Sequence, residues 1–170
     1  MQRRPTRRSC FSAILWTAVS FCLLCHNALA FSATAIILNM SYIDKLALIL
    51  VRGRRQLVAR SRGKTVFFTP GGKRELGESD EQALRRECKE ELTVDLLNIQ
   101  PYGVFEAQAF GKPAGTSVRM TCYTADEKGT LQPSEEVEEL LWIQSDFARD
   151  KMTVTGLMIL DDLKQKNLID

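Results

Sequence analysis

The stretch from Pro70 to Val94, PGGKRELGESDEQALRRECKEELTV, constrains the fold of this chain more than any other. It contains seven acidic residues, five basic residues and three glycines. A Pro-Gly-Gly break follows an apolar run, and Ser79 with Gln82 three residues later forms a capping-box pattern. We therefore predict a strand, then a loop that starts at this break, then a helix from about Asp80 to Leu92.

The predicted helix has two different faces. Successive residues of a helix are rotated by about 100°, which places Leu84, Cys88 and Leu92 on one apolar stripe that can pack against a sheet. The neighbouring arc of about 100° carries three carboxylates, those of Glu87, Glu90 and Glu91. Like charges this close repel, and carboxylate oxygens are the ligands that Mg²⁺ and Mn²⁺ prefer, usually together with substrate phosphates. A solvated charged helix is the alternative, and the helix alone does not decide between the two.

Charge is divided unevenly along the chain. Residues 1–39 hold four of the 23 basic residues and no acidic residue, so the remaining 19 bases face 21 acids, a net charge of −2. The predicted domain, residues 40–170, is therefore almost neutral. This balance gives no general electrostatic reason to expect nucleic-acid binding.

Histidine and cysteine usage excludes several kinds of site. The one histidine, His26, lies outside the predicted domain, which excludes a Ser-His-Asp or Cys-His nucleophile system and a histidine metal site there. Only Cys88 and Cys122 fall inside the domain. Two isolated cysteines make neither a disulfide framework nor a zinc site.

Residues 1–39 read as a segment separate from the domain. A basic start, an uncharged apolar run over residues 10–38 and a small-x-small site at 28–30 predict a secretory signal peptide, an organelle-targeting extension or a membrane anchor. The alternative is a start site placed too early, since Met40 opens a natural beginning of the domain. We expect a cytoplasmic protein if translation begins at Met40, and a targeted or anchored protein otherwise.

The rest of the chain alternates short apolar runs with turns. Predicted strands cover residues 45–51, 56–60, 65–69, 102–110, 117–125 and 138–143, and a second amphipathic helix covers 155–166. Strands separated by hairpin-length gaps, together with two helices, predict an α/β fold with a mixed β-sheet sandwiched between helices.

The charged positions of the first stretch follow a longer pattern. Gly72 is followed after five residues by Glu78, then after seven by Arg86-Glu87, then by an apolar residue, one residue and Glu90-Glu91. This resembles the signature of the Nudix hydrolases, the MutT-like nucleotide pyrophosphohydrolases, at every charged position. Cys88 fills the apolar position, and Thr93 stands where the family has a glycine that caps the helix. The resemblance covers residues 41–168.

The resemblance implies roles for the signature residues. Nudix enzymes hydrolyse nucleoside diphosphates linked to another group and use a divalent metal, normally Mg²⁺, with Mn²⁺ as the other candidate. By carry-over the metal-binding groups are Glu87, Glu90, Glu91 and the backbone carbonyl of Gly72. Glu90 or Glu87 also deprotonates the attacking water. Arg86 and Glu78 form an ion pair that ties the loop to the helix and orients the acids.

Substrate contacts are expected outside the signature. Lys73 contacts phosphate or is only a turn residue. Arg119 reaches a phosphate or pairs with Glu106 across a hairpin. Glu136 is the acid chosen for a second metal, the base or the nucleobase edge. Aromatic candidates for stacking a nucleobase are Phe67 or Phe68, Phe105, Phe110 and Trp142.

The resemblance also implies a function with alternatives. We expect a small nucleotide substrate, no nucleic-acid partner, and a monomer or homodimer whose only membrane contact would be through residues 10–38. The subgroup markers of the ADP-ribose and dinucleoside polyphosphate enzymes are absent, which favours hydrolysis of an ordinary or oxidised nucleoside triphosphate to monophosphate and pyrophosphate. ADP-ribose and nucleotide sugars remain alternatives, as does a catalytically silent ligand-sensing module, although the signature keeps every acid that such modules typically lose.

Overall fold

The computed structural model describes residues 42–170, so the predictions for residues 1–39 lie outside the described residues. The strands are β1 (Tyr42–Ile49), β2 (Val51–Arg52), β3 (Arg55–Ser61), β4 (Phe67–Phe68), β5 (Asp95–Gln108), β6 (Ser117–Lys128) and β7 (Val137–Ile143). The helices are α1 (Asp80–Leu92) and α2 (Val154–Gln165), preceded by a 3₁₀ turn at Arg149–Lys151. Within residues 42–170 no helix is both long enough and apolar enough to cross a bilayer.

The strands form two sheets of different type. In the first, the order is β1-β6-β5, with β1 parallel to β6 and β5 antiparallel to it. In the second, β3 pairs with β2, β4 and β7, each time antiparallel. The sheet structure is therefore mixed, as predicted.

Side chains of β1 alternate between the two helices. Leu46 and Leu48 belong to a buried cluster that contains the apolar stripe of α1. Ala47 and Ile49 belong to a second cluster, which contains the buried side chains of α2. Because successive residues of a strand face opposite sides, β1 is covered by one helix on each side. The predicted α/β fold, with sheet between helices, is confirmed.

Element boundaries differ from the predictions mainly around β5 and β4. β5 begins at Asp95, earlier than the predicted start at residue 102, and it passes through Pro101 beside one of two register shifts, where a residue without an N–H is tolerated. The strand then ends at Gln108, so Phe110 lies in the loop after it and not on a strand. β4 shrinks to two residues, since its pairing with β3 covers only Phe67 and Phe68.

Candidate active site

Helix α1 is capped at both ends. The Ser79 hydroxyl accepts a hydrogen bond from Gln82 N, and the Gln82 side chain accepts one from Ser79 N at 2.9 Å, so the predicted capping box is present. Thr93, in the position where a glycine was expected, adopts the left-handed conformation with φ 62°. Its hydroxyl donates to the Thr130 carbonyl at 2.9 Å. These caps fix where the helix begins and ends, and with it the position of its carboxylates.

The three carboxylates of α1 differ in burial. Glu91 is only 3% exposed, the Glu87 side chain is 17% exposed, and the Glu90 side chain is 49% exposed. This order follows from the helix geometry, because Glu91 lies nearest to the stripe of Leu84 and Cys88, which faces the core. One acid is thus held inside the protein while another stays accessible to water.

Glu91 is a buried acid with little compensation. Its carboxylate accepts a hydrogen bond from the backbone N–H of Gly71 at 2.8 Å. Burial raises the pKa of Glu91 to about 7, and repulsion from Glu87 and Glu136 adds to the rise, while the Gly71 N–H and Lys45 oppose it. A carboxylate in this position gains from a nearby cation, since burial disfavours the charged form.

Gly71 and Gly72 bring the loop against both β1 and α1. The Gly72 carbonyl accepts a hydrogen bond from Leu46 N at 2.8 Å. Gly71 has φ +130°, and a Cβ added there would lie 2.5 Å from the Leu46 carbonyl oxygen. A Cβ at Gly72 would lie 2.2 Å from the carboxyl of Glu87. Only glycine fits at Gly71, and a side chain at Gly72 would displace the Glu87 carboxyl, so the backbone passes directly beside the acids.

Arg86 is the centre of an ion-pair network. Its Nε and Nη2 donate to the two Glu78 oxygens at 2.8 and 2.9 Å, so the predicted ion pair is present. Nη2 also donates to the Lys73 carbonyl at 3.0 Å. The guanidinium lowers the pKa of Glu78 to about 2 and so keeps it charged. Loop and helix are joined through one side chain.

The same guanidinium also stands between two of the predicted metal ligands. Its Nη1 donates to Glu87 at 3.0 Å and to Glu90 at 3.2 Å. Among residues 42–170 no three acidic, histidine or cysteine side chains converge into a group that would hold a metal in this arrangement. The donors nevertheless fit a hard divalent cation in type, because they are carboxylates beside a backbone carbonyl. Arg86 already lies between Glu87 and Glu90, so in this arrangement its positive charge offsets their repulsion.

A cavity of about 660 Å³ opens next to Glu91. Ile43 and Lys45 of β1 line it, and their side chains face the opposite side of the strand from Leu46. The cavity therefore lies on the α2 side of this strand. Val118 and Met120 contribute from β6. The remaining walls come from the β3–β4 turn, β4 and the loop after it, Glu136, the β5–β6 loop and the first turn of α2. The cavity is large enough for a nucleotide-sized ligand, since small-molecule sites commonly have about 300–1,000 Å³.

The structure brings together three of the four predicted substrate-contacting residues. Lys73, Phe68 and Glu136 all line the cavity. Arg119 does not line it. Its guanidinium forms an ion pair with Glu106 at 3.4 Å, and the two residues lie opposite each other where β5 pairs with β6. This is the alternative given above.

The other aromatic candidates separate clearly. Phe110 lines the cavity, whereas Phe67 is buried in the core and stacks edge-on against Phe147. Phe105 packs against the α2 cluster, and Trp142 packs against the α1 cluster.

Sequence reasoning missed three lysines that line the cavity, namely Lys45, Lys64 and Lys112. Lys45 gave a usable signal, because it shares the alternation of the core residues Ala47 and Ile49 and therefore faces inward. Lys64 and Lys112 lie in turns, and their sequence neighbourhood does not indicate which direction they face. Their convergence depends on how β4 and the β5–β6 loop fold over the sheet.

Comparisons with known proteins agree with this geometry. The NUDIX domain family matches residues 30–157 of the chain. A search of curated proteins found no match. Among solved structures, the E. coli ORF135 protein is 25% identical with a TM-score of 0.60, over 77% of this chain and 96% of that one. A MutT NUDIX hydrolase from Burkholderia pseudomallei is 24% identical with a TM-score of 0.61, over 71% and 97%.

A third structure, a putative nudix hydrolase family member from Chromobacterium violaceum, is 23% identical with a TM-score of 0.57, over 75% of this chain and 80% of that one. These likenesses support the fold, and the family match covers most of the chain together with the acid-bearing helix and its loop. The chain belongs to the Nudix family and is a hydrolase of the pyrophosphate bond in small nucleoside diphosphate derivatives.

Proposed function

We propose that this enzyme hydrolyses nucleoside triphosphates, ordinary or oxidised, to a monophosphate and pyrophosphate, with Mg²⁺ or Mn²⁺ as cofactor. The observation that carries the proposal is the charge of the cavity. Four lysines line it against two acids, Glu91 and Glu136. The lysines come from separate segments: Lys45, Lys64, Lys73 and Lys112.

None of these four ammonium groups forms an ion pair in the described part of the chain, although Lys45 opposes the rise in the pKa of Glu91. Most of their charge is therefore available to a ligand. A triphosphate has a free terminal phosphate and therefore carries more negative charge than ADP-ribose, whose two phosphates are both esterified. Lysine is a common phosphate ligand that acts as a point charge. The excess of positive charge therefore favours the triphosphate over the alternative substrates.

The cofactor would be held by the carboxylates of Glu87, Glu90 and Glu91 with the Gly72 carbonyl. A divalent cation bound there supplies charge neutralisation for the phosphates and makes water more acidic. Arg86 holds Glu87 and Glu90 in place, and Glu78 holds Arg86. Such supporting contacts are normally needed to keep a metal site in shape.

Glu90, with Glu87 as the second candidate, accepts the proton of the attacking water. Glu90 has the most exposed carboxylate of the three and a single contact of 3.2 Å to Arg86. Water attacks the α- or the β-phosphorus, and the bond from that phosphorus to the oxygen that bridges the two breaks. Monophosphate and pyrophosphate then separate, and the one that was attacked keeps the oxygen of water. The lysines position the phosphates and stabilise the charge that develops on the oxygens.

Two alternative functions would use the same site. ADP-ribose or a nucleotide sugar would place two esterified phosphates beside α1. The ADP-ribose subgroup, however, has a proline closer to the end of the signature than Pro113, which follows Val94 by 19 residues. A silent sensing module would keep ligand affinity without turnover. The intact acids Glu87, Glu90 and Glu91 argue against that reading.

A substrate panel tests the proposal. Purified protein is assayed at fixed Mg²⁺ with ordinary and oxidised nucleoside triphosphates, ADP-ribose, dinucleoside polyphosphates, NADH and nucleotide sugars, and the products are identified by chromatography. Pyrophosphate released from one triphosphate well above the others supports the proposal. Monophosphate formed from ADP-ribose or a sugar nucleotide assigns the enzyme to the other branch, and no metal-dependent turnover from folded protein favours the silent module.

We infer that residues 1–39 form a targeting or anchoring segment, or lie upstream of the true start, and that residues 40–170 form the hydrolase domain. Because the family match begins at residue 30, the boundary is placed by sequence pattern alone. Mass spectrometry of the N-terminus from native cells distinguishes cleavage after residue 30, a start at Met40 and an intact segment. Sedimentation of the same preparation separates monomer from homodimer.

A further inference from the structure

Arg74 lies in the loop before α1 and is paired with two acids at once. Its Nη1 donates to Asp44 Oδ2 of β1 at 2.7 Å, and its Nε donates to Asp80 Oδ1 in the first turn of α1 at 2.6 Å. In the described part of the chain it is the one side chain of residues 73–77 that forms an ion pair. A single guanidinium thus connects the loop to a strand and to a helix.

Both acids are themselves fixed by other parts of the fold. The second oxygen of Asp80, Oδ2, accepts a hydrogen bond from the Tyr123 hydroxyl at 2.5 Å, and Tyr123 packs against the α1 cluster. Asp44 lies opposite Arg119 where β1 pairs with β6. The Arg74 guanidinium lowers the pKa of Asp80 and so keeps it charged. An isolated surface ion pair contributes little, but a guanidinium held by two fixed carboxylates makes strong and directional bonds.

The direction of Arg74 is opposite to that of its neighbour in the loop. Asp44 alternates along β1 with Ile43 and Lys45, which line the cavity, so Asp44 faces the α1 side of the strand. Arg74 is therefore held on the α1 side, whereas Lys73 lines the cavity on the α2 side. Because the two residues are consecutive, an anchor on one restricts the direction of the other.

The backbone before Lys73 is held without help from Arg74. The Gly72 carbonyl accepts a hydrogen bond from Leu46 N at 2.8 Å, and the Lys73 carbonyl accepts one from Arg86 at 3.0 Å. Loss of the Arg74 side chain would leave both bonds in place. We therefore expect it to disturb the Lys73 side chain more than the proposed metal ligands.

We propose that Arg74 is a positioning residue of this hydrolase: by pairing with Asp44 and Asp80 it fixes the loop after Gly72 and directs Lys73 into the cavity, toward the substrate phosphates. The inference rests on the proposed function only in taking Lys73 as a phosphate contact. It does not depend on the base or on the number of phosphates in the substrate.

A double-mutant cycle between Arg74 and Lys73 tests this role. Calorimetry gives the dissociation constant of inorganic pyrophosphate with Mg²⁺ for full-length wild type, Arg74→Gln, Lys73→Met and the double variant. Lys73→Met should weaken binding about 10- to 100-fold, the loss of one charged contact. Arg74→Gln should weaken binding about 3- to 30-fold in the wild-type background and not at all in the Lys73→Met background, because it acts through Lys73.

Two controls distinguish positioning from a general loss of charge or stability. Arg74→Gln should keep its full effect in a Lys64→Met background, since Lys64 reaches the cavity from a different turn. Arg85→Gln is the matched arginine control, because Arg85 also pairs with an acid of α1, Glu81, but lies outside the loop. It should bind pyrophosphate as the wild type does. With a turned-over substrate, Arg74→Gln should raise KM with little change in kcat.

Unchanged pyrophosphate affinity in folded Arg74→Gln overturns the inference, as does an equal loss in Arg85→Gln. An Arg74→Gln effect that persists in the Lys73→Met background also overturns it, because the effect would then not pass through Lys73. The same holds for a folded wild type that binds no pyrophosphate. Asp44→Asn removes one of the two anchors, and it should give a smaller loss of the same kind if Arg74→Gln does not fold.

These outcomes separate the inference from the proposed function. An enzyme that prefers ADP-ribose to triphosphates contradicts the proposed function, yet the cycle between Arg74 and Lys73 would still be non-additive. A triphosphate pyrophosphohydrolase in which the two substitutions are additive contradicts only the positioning role of Arg74.

Discussion

The two parts of the proposed site are built in opposite ways. At the acid end, formed by the α1 carboxylates, Arg86 alone donates to Glu78, Glu87, Glu90 and the Lys73 carbonyl, so the proposed metal ligands are held together before any ligand arrives. In the cavity beside it, Phe110 and Val154 remain exposed, and the lining lysines form no ion pair among residues 42–170. The comparison teaches that the proposed metal ligands are preorganised by the protein, whereas the cavity side chains are left for a ligand to pair.

The largest expected effect tests the acid end. Glu90→Gln removes the carboxylate proposed to accept the proton of water, and kcat should fall about 10²- to 10⁴-fold, the usual contribution of a general base. Because Glu90 is half exposed, the melting temperature should stay within a few degrees of wild type. Steady-state kinetics and a thermal melt measure the two quantities.

Glu81→Gln is the matched control for this variant. Glu81 lies on the same helix and is exposed, and its one ion pair among residues 42–170 is with Arg85, one turn away. It should keep wild-type kcat. Full activity in Glu90→Gln would move the base to Glu87, and retained nucleotide affinity without turnover in the wild type would favour the silent module.

Two adjacent glycines sharpen the distinction between fold and chemistry. Gly71→Ala puts a Cβ 2.5 Å from a backbone oxygen at φ +130°, and it should destabilise the protein by about 3 kcal/mol or more. Gly72→Ala meets only the movable Glu87 carboxyl, so stability should fall less while activity falls about 10- to 100-fold. Denaturant unfolding and kinetics on both variants measure this contrast, and equal destabilisation would refute it.

The Glu78–Arg86 ion pair should affect both activity and acid stability. Glu78→Gln should lower activity about 10- to 100-fold by loosening Arg86. The pKa of Glu78 is lowered from 4.5 to about 2, so its stabilising contribution is complete above pH 4.5 and is lost as the pH falls toward 2. The stability difference between wild type and Glu78→Gln should therefore be constant above about pH 5 and shrink below pH 4.5.

Glu75→Gln serves as the control, because the hydrogen bonds between Glu75 and Glu78 use only backbone atoms of Glu75. It should match the wild type in activity. A stability difference that persists unchanged at pH 2 in Glu78→Gln would contradict the ion-pair account.

The smallest effect is expected at the C-terminal cap of α1. Thr93→Gly relieves a left-handed conformation that costs a non-glycine residue about 1 kcal/mol or more, but it removes the hydrogen bond to Thr130, which is worth about as much. Stability should change by less than about 1 kcal/mol, with unaltered kcat. Chemical denaturation checks the first quantity, and a shift above about 2 kcal/mol would show that the cap matters more than its contacts indicate.

Local pattern was enough to predict the acid end of the site. The capping box of Ser79 and Gln82, the helix bounds and the Glu78–Arg86 pair depend on spacings within one short stretch. The ends of strands were predicted wrongly where contacts between distant segments decide them. β5 continues through Pro101 because its pairing with β6 absorbs two register shifts, and Phe110 leaves the strand because Gln108 folds the loop back on itself.

The sequence by itself determined the family, the α/β class and the acids that face one side of α1, because helix periodicity and the spacing of glycine, arginine and glutamate are local properties. Only the tertiary structure decided that Glu91 is buried and Glu90 exposed. It also decided that Lys45, Lys64 and Lys112 meet in one cavity and that Arg119 does not join them. Burial and convergence depend on which segments pack together across the sheet, and no local spacing specifies that packing.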